Sequence, residues 1–282
     1  VATTTGTDIF GTYSSSVSTT TYTYADVPIR GTTYYVSTRM RVSISAAGSD
    51  IFGGSWSTTT PGSYTQAYTI DNRGTPLDNT DDIFKIGAPT SIVNLVTSGL
   101  DVFGNITSTT TANTYILHKG KVFTDSSAAT TTGTDIFGTY SETKATTAYI
   151  YTTDANGIFY AETYTVTTNI KGKDIFGGQW GTTALLDGTT ITDGADLVVS
   201  YKNVKVGDIY KLQILIGSTY TTIADGVTYD TTLTTKGKDV FGAWTTTATV
   251  TTNKIKKGKP YVSKSVATTT GTDIFGTYSS SV

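Results

Sequence analysis

The residues Val1–Val17 read VATTTGTDIFGTYSSSV, and Val266–Val282 read the same, letter for letter. Shared composition alone does not produce an identity of this length. Because Val266 repeats Val1, the period is 265 residues, the size of whole domains and not of the roughly 20–50-residue unit of a solenoid. The sequence therefore predicts a stretch of a tandem array of domains, in register with this repeat.

A shorter copy of the same opening lies inside the repeat. Ala129–Tyr140 reads ATTTGTDIFGTY and matches Ala2–Tyr13. Further along each half, a DVFG motif precedes KGK by the same 18 residues. Duplication followed by drift explains both matches, and each half is long enough to bury a core of its own. We predict half-repeats over residues 1–127 and 128–265, and the first strand or strands of the next repeat over 266–282.

Composition favours strands. The chain is rich in threonine and has 19 Tyr and 29 Gly; Thr and Tyr favour strands, whereas Gly marks turns and bulges. Apolar and polar residues alternate along 34–44, with Tyr35 on the polar face, and Asn156-Gly157 is a hairpin signal. We predict an all-β chain of two tandem β-sandwiches with immunoglobulin-like architecture, from a duplicated unit of about 130 residues.

Several classes of chemistry have no residues to support them. The absence of cysteine excludes a disulfide framework, zinc fingers, iron–sulfur clusters and thiol catalysis. One histidine and two glutamates offer neither a Ser-His-Asp triad nor a glutamate pair of the glycosidase kind. A net charge of −2 argues against a nucleic-acid partner, and no apolar run is long enough to predict a membrane span. We expect no enzyme and no cofactor; an aspartate-based hydrolase is the remaining catalytic alternative.

The motif Asp-[Ile/Val]-Phe-Gly recurs throughout the chain. We interpret it as part of a strand: Ile and Phe would point to opposite faces, so the Phe side chains should be mostly buried, and the Gly should form a bend or bulge. A Tyr or Trp follows the Asp by five residues, or by six where a second Gly is present, which suggests that the extra Gly is an insertion. The predicted structural residues are Asp8, Phe10, Gly11, Asp50, Phe52, Gly53, Asp101, Phe103, Gly104, Asp135, Phe137, Gly138, Asp174, Phe176, Gly177, Asp239, Phe241 and Gly242.

Some aspartates are candidates for calcium. The stretch Gly48–Gly54 (GSDIFGG) resembles the Gly-rich Asp repeats of calcium-binding β-rolls, but its spacing differs by one residue and no nonapeptide tandem follows. Carboxylates also cluster in two loops, where they could hold Ca²⁺, although turn chemistry explains them as well. These weak candidates are Asp78, Asp81, Asp82, Asp193 and Asp196. Separately, Asn105 opens an N-glycosylation sequon, which matters only on a secreted chain.

Over its whole length the chain resembles the tandem β-sandwich regions of large prokaryotic cell-surface and filament proteins, being Thr-rich, Cys-free, duplicated and all-β. The resemblance implies an extracellular or cell-surface location and a structural role as the repeat unit of a filament, sheath or surface layer (S-layer). Its partners would be copies of itself along a homopolymer. The alternative is an adhesin stalk whose exposed aromatics bind surface glycans or a host surface; exposure of Trp56, Trp180 and Trp244 would favour it.

The second copy of the opening, Val266–Val282, is long enough for one or two strands and carries the apolar pair Ile274-Phe275. We expect it to pair with a sheet edge by one of two routes. It either staples onto the domain before it or inserts into the next copy as a donor strand. Both routes give a linear, head-to-tail polymer that does not close.

Overall fold

The computed structural model of the protein is all-β, which confirms the predicted class. Strands, turns and loops make up the described residues, and no helix occurs among them. The strand pairings given below are antiparallel. By contact, the chain divides into two compact units, unit 1 (Val1–Ser127) and unit 2 (Ala128–Val282). The structure describes residues 1–7, 11–74, 80, 82–182, 194–206, 209–257 and 259–282.

Unit 1 contains the first strands of the chain, and its limit falls within the tenth. They are β1 (Ala2–Thr7), β2 (Tyr13–Ile29), β3 (Thr32–Ser49), β4 (Ser55–Thr60), β5 (Gly62–Asp71), β6 (Ile83–Ile86), β7 (Thr90–Val93), β8 (Leu95–Leu100), β9 (Ile106–His118) and β10 (Lys121–Thr134).

Unit 1 is organised around the long strands β2 and β3, which pair along their whole length. On its other side β2 pairs with β1. β3 then forks: its middle, Arg39–Ile44, pairs with β5, and its end, Ala47–Ser49, pairs with β4. One branch continues through β4, β8 and β9, and the other through β5 to β6 and β7.

Unit 2 contains the remaining strands. They are β11 (Tyr140–Thr153), β12 (Phe159–Lys173), β13 (Gln179–Gly181), β14 (Leu197–Val206), β15 (Ile209–Ile216), β16 (Thr219–Thr222), β17 (Thr228–Lys238), β18 (Trp244–Lys256), β19 (Lys259–Thr272) and β20 (Tyr278–Ser281).

The same forked pairing occurs in unit 2. β11 pairs with β12 along its length. The middle of β12, Thr163–Thr168, pairs with β14, and its end, Lys171–Lys173, pairs with β13. One branch continues through β13, β17, β18, β19 and β20, and the other through β14, β15 and β16. Long β-branched and aromatic runs favour such extended strands.

The apolar core lies in unit 2, between its two branches. Ile214 of β15, Tyr229 of β17 and Ile255 of β18 are buried there. In the described part of unit 1, no large hydrophobic side chain is buried to that extent. Partly buried side chains that complete the core are Val199, Tyr201, Ile216, Ile223 and Val227.

Strand β19 runs through Val266, where the sequence of the opening recurs. It pairs with β18 from Lys256↔Lys259 to Trp244↔Thr272, with one register shift. β20 then returns along its last residues, with Thr272 opposite Tyr278. The second opening therefore pairs with the strand that precedes it, as expected of a strand that finds a sheet edge. At the first opening, β1 and β2 pair in the same register, Thr7 opposite Tyr13.

Candidate functional site

The recurring Asp-[Ile/Val]-Phe-Gly motif forms a five-residue hairpin loop. In the loop 174–178, Asp174 N donates to Gly178 O at 2.9 Å, and Gly177 N donates to Asp174 O at 3.2 Å. The loop is closed by its first and fifth residues, and the apolar pair lies between them at the tip. The described motif loops are 50–54, 101–105, 135–139, 174–178, 239–243 and 273–277.

The aspartate and the glycine set the loop conformation. Phe176 N and Gly178 N both donate to Asp174 Oδ1, at 2.9 and 2.8 Å. Gly177 has φ = 95°, in the left-handed region that glycine enters without a Cβ penalty. The other five loops repeat both the carboxylate contacts and the positive φ. The motif aspartate and glycine therefore hold the loop in its conformation.

Hydrogen bonding also affects the ionisation of these aspartates. The backbone N–H of Thr139 holds the pKa of Asp135 below its usual value, and the N–H of Thr277 does the same for Asp273. Each bond favours the charged carboxylate, so the loops 135–139 and 273–277 are best held when Asp135 and Asp273 are ionised.

The expected burial of the motif phenylalanines is wrong. Phe52, Phe103, Phe137, Phe176, Phe241 and Phe275 are 71–87% exposed, and the Ile or Val before each is more than half exposed. The reason is that the motif is a loop and not a strand, so no second layer covers its tip. Asp8 and Phe10 lie outside the described residues, while Gly11 has the positive φ of the other motif glycines.

The spacing suggests that the second glycine of some motifs is an inserted residue, but the structure shows that it is not. The loops 50–54 and 135–139 have the same length, closed by Gly54 and Thr139. Tyr140 directly follows the closing residue, whereas Trp56 comes one residue later. Because successive strand residues point to opposite faces, the two aromatics lie on different faces of their sheets.

The tips within a unit lie next to one another at one end of the strands. A Cβ placed on Gly138 would lie 3.5 Å from Ile175 Cγ2, and one on Gly242 would lie 3.7 Å from Ile274 Cγ2. Each motif loop joins a strand that runs toward this end to one that runs away from it. We call the four loops 135–139, 174–178, 239–243 and 273–277 the tip row of unit 2.

One loop at the opposite end has the same backbone without the apolar pair. In the loop 154–158, Asp154 N donates to Ile158 O at 2.9 Å, and Gly157 has φ = 77°. Asn156 N and Ile158 N donate to Asp154 Oδ1 at 2.9 and 2.8 Å. Ala155 and Asn156 stand where the motif has Ile and Phe. The hydrogen-bonded loop therefore forms without a large apolar tip.

That opposite end is basic. In unit 2, Lys257 has positive φ in the turn before β19, and Lys254 and Lys256 beside it are exposed. Lys205 Nζ lies 2.9 Å from Asp154 Oδ2. Unit 2 thus has loops with apolar tips at one end of its strands and a turn flanked by exposed lysines at the other.

The tryptophans stand against glycines of neighbouring strands. Trp56 lies opposite Gly48, and Trp180 lies opposite Gly172; a Cβ on either glycine would collide with the indole ring. Lys236 Nζ lies 4.9 Å from the ring centre of Trp244. Trp56 is 37% exposed, and the other two are half-buried. These glycine–tryptophan contacts were not predicted from the sequence. The signal for them is a strand glycine opposite an aromatic residue.

The calcium candidates fall in two groups. Asp78, Asp81 and Asp193 lie outside the described residues. Asp82 is buried, and its carbonyl oxygen accepts a hydrogen bond from Arg30 Nε at 3.0 Å. Asp196 Oδ1 accepts from Asn169 Nδ2 at 2.8 Å. Across the described ranges, no three His, Cys, Asp or Glu side chains group as a metal site, and calcium stays a prediction.

Asp101 and Asp50 line one open cleft of about 260 Å³ beside Trp56. Burial of Asp101 opposes its ionisation, but hydrogen bonds from Asn105 and Phe103 outweigh it and hold the pKa of the carboxyl below its usual value. A general acid needs the opposite shift, so Asp101 does not support the hydrolase alternative. Asn105 Nδ2, the atom a glycan would modify, donates to Asp101 Oδ2 at 2.7 Å.

No protein-family model, curated protein or solved structure matches the chain. Across the part of the chain that the structure describes, no helix is long and apolar enough to cross a membrane.

Proposed function

We propose that this chain is a structural repeat of an extracellular filament, sheath or surface layer, joined head to tail by β-strand pairing. The observation that carries the proposal is the continuity of β19. Residues 259–265 end one repeat and 266–272 begin the next, within a single strand. Pairing with β18 holds both parts, so no flexible linker lies at this joint. A chain joined in this way resists bending, which a fibre or sheath requires.

We further propose that each 265-residue repeat consists of two β-sandwiches that arose by duplication of one unit. The forked strands β3 and β12, with the same order of pairing around each, support the duplication. The packing of β15 against β17 and β18 around Ile214, Tyr229 and Ile255 supports the sandwich, since its two layers enclose a core. The corresponding motif loops at Asp101 and Asp239 connect β8 to β9 and β17 to β18.

Electron microscopy tests the array. Negative-stain images of the native material, and of chains carrying one, two and four 265-residue repeats, should show straight particles whose length grows in equal steps. Flexible beads, or particles whose length does not follow the repeat number, would contradict the proposal. Antibody labelling of intact source cells tests the extracellular location.

A variant of the joint sharpens this experiment. Thr268→Pro places a residue without an N–H in the middle of β19, opposite Ala248, and should introduce a bend at every joint. Ala155→Pro is the matched control. It falls at the second position of the loop 154–158, where a turn accepts proline, and the particles should stay straight.

A specific observation also favours the adhesin alternative. Tyr22, Tyr24 and Tyr35 form an exposed row in unit 1, with ring centroids 6.3 and 5.6 Å apart along the row. Exposed aromatic rings offer flat apolar faces on which sugar rings can stack. The tryptophans are less exposed than Tyr35, so the tyrosines are the better candidates for glycan contact.

A glycan array with the purified chain tests this second function. Tyr35→Ala should lower binding at least tenfold, because it removes the most exposed ring of the row. Tyr151→Ala, which removes a half-buried tyrosine of unit 2, is the control. Absence of glycan binding, or equal loss in both variants, would reject the adhesin function.

A further inference from the structure

The apolar pairs at the loop tips are not needed to form the loops. The loop 154–158 makes the same hydrogen bonds with Ala155 and Asn156 at those positions. Yet every described motif loop carries Ile or Val followed by an exposed Phe. Contiguous exposed apolar surface marks an interaction site, so the tips call for a partner.

The spacing of the tip row of unit 2 makes it complementary to itself. Successive tips are separated by two strands, and strands lie about 4.8 Å apart, so the tips recur about every 9.6 Å. A second row displaced by half this spacing would place each Phe ring between two others at about 5 Å. This separation lies within the range of about 4.5–7 Å for favourable aromatic pairs.

The area of the row is sufficient for a stable contact. A buried aromatic side chain covers roughly 150–250 Å², so four Phe side chains that are about three-quarters exposed offer roughly 600 Å². The Ile and Val side chains beside them, each more than half exposed, bring the row to about the 800 Å² per partner of a standard interface.

Charge selects which ends meet. Oδ1 of each motif aspartate accepts hydrogen bonds from backbone N–H groups of its own loop. The negative charge of the carboxylate is therefore stabilised within the loop. The opposite end of unit 2 carries the exposed cations Lys254, Lys256 and Lys257. Two basic ends repel, and an apolar tip gains nothing by displacing water from a lysine. Contact between two apolar rows is therefore favoured.

We infer that the tip row of unit 2 docks against the tip row of a second copy of this chain, with the loops of one copy facing the loops of the other. The two rows interdigitate about a two-fold axis, so that each row contributes the same residues. This contact goes beyond the head-to-tail array, because it would join one array to another. A single 282-residue chain already carries it.

Sedimentation velocity of the 282-residue chain over a range of concentrations tests the inference. The wild type should form dimers. A variant in which the four tips take the Ala-Asn sequence of loop 154–158 should have a Kd at least tenfold higher. It should also keep the circular dichroism of the wild type, because that sequence already folds as this loop. The substitutions are Ile136→Ala, Phe137→Asn, Ile175→Ala, Phe176→Asn, Val240→Ala, Phe241→Asn, Ile274→Ala and Phe275→Asn.

The matched control moves the apolar pair to the other end. Ala155→Ile with Asn156→Phe should leave the Kd within twofold of the wild type, since a single tip at the basic end has no facing row. A wild type that stays monomeric at millimolar concentration, a tip variant that dimerises like the wild type, or a control that dimerises more tightly would each overturn the inference.

Cross-linking locates the contact. The chain has no cysteine, so Phe176→Cys and Asn156→Cys each supply a unique thiol, one in the tip row and one at the opposite end. Oxidation should yield disulfide dimers at least fivefold faster for Phe176→Cys; equal rates would contradict the docking. Tip-dependent binding of a monomeric chain to phosphatidylcholine vesicles would also overturn it, by assigning the tips to a lipid surface. Rods that lengthen with repeat number without lateral association would reject this contact and leave the array standing.

Discussion

Units 1 and 2 use the same forked strand pairing but fill it differently. In unit 2, Tyr149 lies opposite Tyr164, which lies opposite Tyr201, with ring centroids 5.7 and 4.7 Å apart. Tyr201 in turn hydrogen-bonds Tyr229 of the core; burial and Tyr201 raise the pKa of Tyr229 to about 12. The aromatic row of unit 2 therefore leads into a packed interior.

In unit 1 the equivalent register reads Tyr22, Met40 and Gln66. Gln66 is fully buried, and its Nε2 donates to Gly87 O at 3.2 Å. Tyr22 of this row stays exposed. The difference teaches that the hydrogen-bonded strands define the fold in both units, whereas the side chains of the fork decide whether a core or an exposed aromatic surface results.

The largest expected effect separates the two units by their cores. Ile214→Ala should lower the free energy of unfolding of unit 2 by about 2–5 kcal/mol, since it leaves a cavity in the buried cluster. Ile44→Ala, at an exposed position of β3 in unit 1, should cost about 1 kcal/mol. Urea denaturation followed by tryptophan fluorescence measures both. Equal losses would show that unit 1 has a comparable core.

The glycines that face tryptophans, Gly48 in unit 1 and Gly172 in unit 2, should be about equally sensitive to substitution. Gly48→Ala and Gly172→Ala each force a Cβ into an indole ring and should cost roughly 1–3 kcal/mol. Gly6→Ala is the control, because its Cβ would lie 3.6 Å from Ser14 Oγ, an ordinary contact. Thermal melts compare the three variants. If Gly172→Ala has the melting temperature of the wild type, Trp180 does not pack against this glycine in solution.

The buried amide of Gln66 in unit 1 should matter more than the half-buried amide of Gln213 in unit 2. Gln66→Leu leaves the carbonyl of Gly87 without its donor and should cost about 1–2 kcal/mol. Gln213, which is half-buried and donates to Thr222 Oγ1 at 3.4 Å, provides the control Gln213→Leu, with a smaller cost. If Gln66→Leu instead stabilises the chain, unit 1 can bury more apolar side chains than the wild-type sequence supplies.

The smallest effect concerns pH. The pKa values of Asp135 and Asp273 are held below the ordinary 3.8 by backbone N–H groups. Their contribution to stability is therefore present above pH 3.8 and is lost as pH falls through the lower folded values. Carboxyl NMR titration should show both midpoints below 3.8, as for Asp101 of unit 1. Midpoints at or above 3.8 would mean that the loop hydrogen bonds do not hold in solution.

Composition and period were enough to predict the all-β class and the pairing of Val266–Val282, because Thr-rich alternation is a local signal. The tips were misread because an Ile-Phe pair has strong strand propensity. The frame Asp-x-x-Gly around it is turn chemistry, and the loop 154–158, already recognised by its Asn-Gly, has the same frame. Turn residues at fixed positions outweighed the propensity of the residues between them.

The faces of β3 could not be read from alternation alone. A register shift opposite Thr23 and Tyr24 leaves Thr38 as an extra residue in β3, and such a bulge reverses the alternation beyond it. Tyr35, expected on the polar face with Arg39, instead stacks on Tyr24 at 5.6 Å. Nothing in the sequence marks the bulge, because it depends on the partner strand.

Hydrogen exchange of the 282-residue chain tests the central claim most directly, since that claim is the continuity of β19 across the joint between repeats. Those amides of residues 266–272 that bond to β18 should be protected to the same degree as their partners in Trp244–Val250. Those of 269–272, which lie between β18 and β20, should be the slowest. Exchange of 266–272 at the rate of an unstructured peptide would show that the repeats are joined by a flexible linker and would contradict the account.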